Sequence, residues 1–112
     1  MKPLRIPLRA VFFRESDAWV AHCLEFDLVG DGKTREEALD SLTEAIACQV
    51  EATLQNSNTA NLFNPAEGKY FEMFAAGRDV AVGELKLQRP GVTIEELETR
   101  EYSDADPELV PA

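Results

Sequence analysis

From position 4 to position 14, apolar residues recur at every second place. Leu4, Ile6, Leu8, Ala10 and Phe12 fall on one side of an extended chain, and Arg5, Pro7, Arg9, Val11 and Phe13 on the other. That period of two predicts a strand. Pro7 has no N–H to give to a ladder, so its end of the strand is expected at an edge or a bulge. Glu15-Ser16-Asp17 reads as a turn and Ala18 to Leu24 as the returning strand. On that strand Trp19, Ala21 and Cys23 share one face, and Val20, His22 and Leu24 the other. A short third strand around Leu28 and Val29 fits before Gly30-Asp31-Gly32, which reads as a break.

The period then changes. Thr34, followed three residues later by Glu37, is a capping box in which hydroxyl and carboxylate each satisfy an orphan backbone N–H. Beyond it Leu39, Leu42, Ile46 and Val50 fall within an arc of about 80° on a helical projection, with Glu37, Asp40, Glu44 and Glu51 almost opposite. The pattern predicts an amphipathic helix of about 20 residues ending near Gln55-Asn56. Asn56 to Asn61 is a polar connector. Asn64-Pro65-Ala66-Glu67 repeats the start signals, with Asn at the N-cap and Pro at the first helical position, and predicts a short second helix to about Ala76 with Gly77 as its stop. Tyr70, Phe71, Met73 and Phe74 supply its apolar surface. Val80 to Gln88 reads as another strand, with a slip in alternation at Gly83. Thr93 and Glu96 form a further capping box, yet Val92, Ile94 and Tyr102 equally suit an edge strand. The acid-rich end, 103–112, reads as frayed.

The fold expected from these elements is α+β: a small antiparallel sheet in β-β-β-α-β order packed on one long amphipathic helix, plus a short second helix. Residues 1–90 make the domain, including an inserted helix at about 64–77, and 91–112 an acidic extension that is partly ordered. A chain of 112 residues is enough for one core of this kind.

Charge narrows the partners. The formal net charge is −10, with Lys2, Arg5, Arg9 and Arg14 preceding the first acidic residue, Glu15, and acids dominating afterwards. Neutralising phosphates takes clustered Lys and Arg, so direct nucleic-acid binding is not expected, whereas an acidic surface suits a basic protein. No apolar run approaches the roughly eighteen residues of a membrane span, and the first residues lack the apolar stretch of a signal peptide, so a cytoplasmic location is expected.

Catalytic patterns are wanting. There is no GxSxG, phosphate-binding Gly-rich loop or HExxH. Cys23 and Cys48 have no metal-ligand spacing and read as small buried hydrophobes in a reducing compartment. His22, the single histidine, reads as a strand residue at a surface or interface, with Cys23 pointing to the opposite face. No enzyme activity and no cofactor are expected. The alternative is a Mg²⁺-dependent nuclease or hydrolase using Asp17, Glu25, Asp27 and Asp31, with Glu36 near by, since hard cations favour such oxygen ligands. Against it, carboxylates near one another are expected in a chain with 21 acidic residues. A third reading places a small apolar ligand beneath the aromatic second helix, in a pocket lined by Phe63, Tyr70 and Phe74.

Trp19-Val20-Ala21-His22-Cys23-Leu24-Glu25 through Asp31-Gly32-Lys33-Thr34-Arg35-Glu36-Glu37-Ala38-Leu39 resembles the HicB-like antitoxin domain. That family's pattern is an aromatic-ended strand, a short acidic and apolar bend, then G-x-T-x-x-E-A-L opening a helix. Gly32, Thr34, Glu37, Ala38 and Leu39 fill those places, and Leu42, Ala45 and Ile46 continue the helix. The resemblance covers residues 4–54. It implies a β-β-β-α-β domain with a partial ribonuclease H-like fold lacking that enzyme's active site. It also implies homodimers or higher oligomers and, in complete toxin–antitoxin systems, a small basic ribonuclease as partner. Leu24 to Leu28 stands where many members carry a Pro-Asp-x-Pro-Gly-like bend, and residues 89–112 are too short and acidic for the DNA-binding module that usually follows. Neutralisation by occlusion is the expected mechanism, and Arg5, Arg9, Asp40 and Glu44 are the expected contact residues.

Overall fold

In the computed structural model, which describes residues 4–55, 63–82 and 92–103, the alternating first segment forms the 12-residue strand β1 (Leu4–Glu15). It is followed by β2 (Ala18–Cys23), β3 (Leu28–Gly32), α1 (Arg35–Gln55), α2 (Gly68–Ala76), β4 (Arg78–Asp79) and β5 (Val92–Glu101). The five strands form one sheet in the order β3-β2-β1-β5-β4. β1 is the middle strand. It pairs antiparallel with β2 through the two-residue Ser16-Asp17 turn, in which Ser16 takes a left-handed φ of 58°. With β5 it pairs in parallel. The fold is therefore α+β with a mixed sheet rather than the expected antiparallel one. Hairpins link β1, β2 and β3, but the chain then leaves through the helices and comes back beside β1 running the same way, as a long crossover allows. The register shifts between Ile6 and Pro7, the irregularity that Pro7 predicts.

Alternation on β1 sorts two cores. Leu8, Ala10 and Phe12 join Ala21, Cys23 and Phe26 beneath α1, where Ala38, Leu39, Leu42, Ile46 and Val50 are all buried. Each large apolar side chain buried there contributes roughly 1.5–3 kcal/mol relative to exposure. Val11 faces the other way and meets Leu24, Ala66 and Phe74 under α2. The sheet thus carries one helix on each face.

The start of α1 follows the predicted capping box. Glu37 N–H donates to Thr34 Oγ1 at 3.1 Å, while Glu37 Oε2 accepts from Lys33 N–H at 2.8 Å and Thr34 N–H at 3.2 Å. Gly30 and Gly32 do not break β3; both lie within it. An added Cβ at Gly30 would meet the Leu42 backbone N at 2.1 Å. Glycine here is what lets the helix backbone lie directly on the strand.

Four expectations need correction. The second helix begins at Gly68, because Asn64 and Ala66 donate their N–H groups to Glu25 O (3.1 Å) and Leu24 O (2.9 Å) and so lie extended beside that bend. Glu67 is the residue before the helix, and its side chain makes no cap bond. Val80 and Val82 are not strand residues; they pack against the α1-side core, and 83–88 lie outside the described residues. Residues 92–101 are no extension but a strand, the alternative that Val92, Ile94 and Tyr102 left open, and it lies inside the sheet rather than at its edge. Their acidity masked an alternation in which Leu97 faces the α1-side core, Glu98 is exposed and Glu101 is ion-paired to Arg35 at 2.6 Å. Cys48 is exposed, since two positions from Ile46 is about 200° around a helix. The stretch 104–112 lies outside the described residues. Among the described residues, no helix is long and apolar enough to cross a membrane.

Candidate functional site

The polar residues singled out from the sequence divide between the two sides of the sheet. On the outer face of α1, Glu36, Asp40 and Glu44 are exposed. Because the helix turns its apolar stripe inward, these carboxylates form an outward acidic row. Glu37, beside them, is held by the capping box.

The opposite side carries Arg9, and there it is engaged within the chain. Glu25 takes the Arg9 backbone N–H on Oε1 and the guanidinium Nε–H on Oε2, each at 2.7 Å. The guanidinium centre lies 5.2 Å from the Phe71 ring and 5.9 Å from that of Phe74, within cation–π range. Arg9 therefore ties the β2–β3 bend and α2 to β1. Arg5 is a β1 residue whose side chain lies outside the described part. The expected contact residues thus form no single surface: Asp40 and Glu44 lie on one side, and Arg9 is spent on the other.

His22 is the residue most misplaced by sequence reasoning. It is buried, with 5% of its surface exposed, under α2 rather than at a surface. Its Nε2 lies 2.7 Å from Asp27 Oδ1, and its ring stacks on Tyr70 with centroids 3.8 Å apart and planes 25° apart. With Asp27 ionised, this bond requires a hydrogen on Nε2. Asp27 reaches the ring from a left-handed φ of 53° in the bend before β3. A signal was present: Val20 and Leu24, which share the face of His22, are apolar, so that face had to be covered.

Cys23 points into the α1-side core, away from His22. Burial, the leading cause, pushes its thiol from 9.0 to about 11. A thiol held protonated is a poor nucleophile at neutral pH.

The four carboxylates of the metal alternative are dispersed. Asp17 is exposed in the first hairpin turn, Glu25 binds Arg9, Asp27 binds His22, and Asp31 is exposed on β3. Among the described residues, no three of His, Cys, Asp and Glu gather as metal ligands would. The aromatic pocket is divided as well. Phe63 packs edge-on against Phe26 and lines a 350 Å³ cavity with Pro7, Leu8, Arg9, Glu25 and Glu98. Tyr70 and Phe74 instead cover His22, Arg9 and Arg100.

The chain matches no family model, no curated protein and no solved structure. Of the surfaces it offers, the acidic face of α1 stands open to a partner; Asp40 and Glu44 were predicted there from sequence, and Glu36 joins them in the structure. A second feature, missed by sequence reasoning, is a 240 Å³ cavity at the end of the sheet lined by Phe13, Arg14, Trp19, Met73, Glu101, Tyr102 and Ser103. Its residues come from three distant stretches of chain, the first hairpin, α2 and the end of β5, and no local motif announces them.

Proposed function

We propose that this chain is a non-catalytic protein-binding domain of the HicB-like antitoxin type, which masks a small basic protein by occlusion. The observation that carries the reading is the exposed row Glu36, Asp40 and Glu44 on α1, in a chain of net charge −10. A row of like charges on a rigid helix costs little while solvated, and it steers a basic partner into register when the two surfaces meet. The arrangement of three hairpin-linked strands, a long helix opened by the Gly32-to-Leu39 motif and a later strand beside the first supports the same reading. Arg9 drops out of the proposed interface, because its charge is answered by Glu25. Self-association belongs to the proposal too. Its surface is the outer edge of β3, which no described strand pairs and where Val29 is 48% exposed.

The test is co-purification of the tagged chain from its native host, with a neighbouring reading frame for a small basic protein as the guide to the partner. Such a protein should be retained by the native chain and released by Asp40→Lys combined with Glu44→Lys, and more readily at high salt. Retention unchanged by the charge reversal removes α1 from the interface, and recovery of no basic protein removes the antitoxin reading.

A further inference from the structure

The cavity at the end of the sheet lies where the two parallel neighbours, β1 and β5, reach their C-terminal ends. Phe12 opposite Glu101 is their last pair, whereas β1 and β2 stay paired out to Glu15 and Ala18. The hairpin therefore overhangs β5, and the notch beneath the overhang is the cavity. Beyond Phe12 the edge of β1 that faces β5 has no described strand partner, which leaves a crevice there.

The lining is specific in chemistry. Phe13, Trp19 and Tyr102 offer aromatic surface and Met73 a polarisable thioether. Glu101 is the one carboxylate in the wall, and Arg35 answers it at 2.6 Å. The guanidinium centres of Arg14 and Arg35 each lie 5.5 Å from the Trp19 ring. Arg14 is exposed and has no carboxylate within ion-pair reach among the described residues. The notch thus combines flat apolar walls with one uncompensated guanidinium.

We propose that this notch binds a small planar aromatic carboxylate, its ring against Phe13 and Tyr102 and its carboxylate on Arg14, beside Trp19. A guanidinium presents a planar fork that matches a carboxylate in a bidentate pair. A neutral aromatic would fill the walls but desolvate Arg14 without answering its charge. A cation would be repelled by the Arg14 and Arg35 guanidiniums that already lie over the Trp19 ring. A volume of 240 Å³ lies below the range of about 300–1,000 Å³ of drug-sized sites, so the ligand is limited to one ring or two fused rings. This site does not depend on the protein-binding proposal, whose surface is the outer face of α1.

Trp19 is the only tryptophan, so its indole N–H gives one resonance that reports on the notch. Titration of the full chain with naphthoate should shift that resonance and the Phe13 and Tyr102 amides saturably, with a dissociation constant of about 1 mM or tighter. The neutral analogue naphthamide should bind about tenfold more weakly or worse, and Arg14→Met should weaken naphthoate by a similar factor. Arg14 is exposed, so the variant keeps the core, and an unchanged spectrum away from the notch verifies it. Arg14→Lys should restore part of the affinity. The site is overturned by shifts centred elsewhere, by no saturation at several times the expected constant, or by equal binding of naphthamide or to Arg14→Met.

Discussion

Replacing Gly30 by alanine tests the contact on which the α1 layer depends. The new Cβ would lie 2.1 Å from the Leu42 backbone N, 2.5 Å from the Ala38 carbonyl O and 2.7 Å from Leu42 Cα. Ordinary contact begins near 3.4 Å, so the helix must retreat from β3 by the difference, about 1.3 Å. None of these atoms ends a flexible side chain; all belong to helix backbone, and the helix is docked by Leu39, Leu42, Ile46 and Val50 along its length. Overpacking typically costs about 1–3 kcal/mol, and with a whole helix to displace we place Gly30→Ala at about 3 kcal/mol or more. That is a large share of the ~5–15 kcal/mol that holds a domain folded. Urea unfolding followed by circular dichroism measures it, the midpoint falling while the slope stays that of the native chain. Gly68→Ala is the matched control. Nothing lies within 4 Å of its added Cβ, and it opens α2, so a gain of about 0.5 kcal/mol is expected. If Gly30→Ala unfolds within 1 kcal/mol of the native chain, α1 does not lie against β3 as described.

Two other predictions concern the far face and the core. A double-mutant cycle of His22→Leu and Tyr70→Leu should give a coupling of about 0.5–1.5 kcal/mol, the worth of a stacked pair beyond its burial; additive losses would mean that the ring contact does not dock α2. Cys48 should react with iodoacetamide at neutral pH in the folded chain and Cys23 only after denaturation, so mass spectrometry that finds both labelled natively contradicts the burial of Cys23. The unfolded chain loses the Cys23 proton above pH 9.0 and the folded chain only near 11. The associated stability is therefore complete below pH 9.0 and is lost as pH rises towards 11, by on the order of 2–3 kcal/mol. Cys23→Ala should flatten that alkaline decline, and equal slopes for the two chains would refute the assignment.

Local signals were legible where one short-range force decides. Thr34 and Glu37 set the start of α1 because a cap is formed within three residues, and the faces of β1 and β2 followed from alternation alone. Tertiary contacts override such signals elsewhere. Asn64 and Pro65 look like a helix start, yet the N–H groups of Asn64 and Ala66 find partners in Glu25 and Leu24, and the helix waits until Gly68. The acids of 95–101 resemble a solvated tail, and only the partners Arg35 and β1, 60 or more residues away, make a strand of them. The candidate sites divide in the same way. The outward placement of Asp40 and Glu44 on α1 was readable from helical spacing, whereas the pairing of Arg9 with Glu25, the burial of His22 and the notch at Trp19 all depend on tertiary contacts.

The parallel pairing of β1 with β5 has a consequence for how the chain is made. Leu4 pairs with Val92 and Phe12 with Glu101, so the central strand, which ends at Glu15, gains its second neighbour only once residues 92–101 have been made. Until then a nascent β1-β2-β3-α1 unit carries β1 as an open edge, and an open edge invites pairing with another chain. Closure over so long a separation is slow relative to hairpin formation. Synthesis interrupted before position 92 therefore leaves an aggregation-prone intermediate rather than a smaller working domain, and the last described strand acts as the guard of the first.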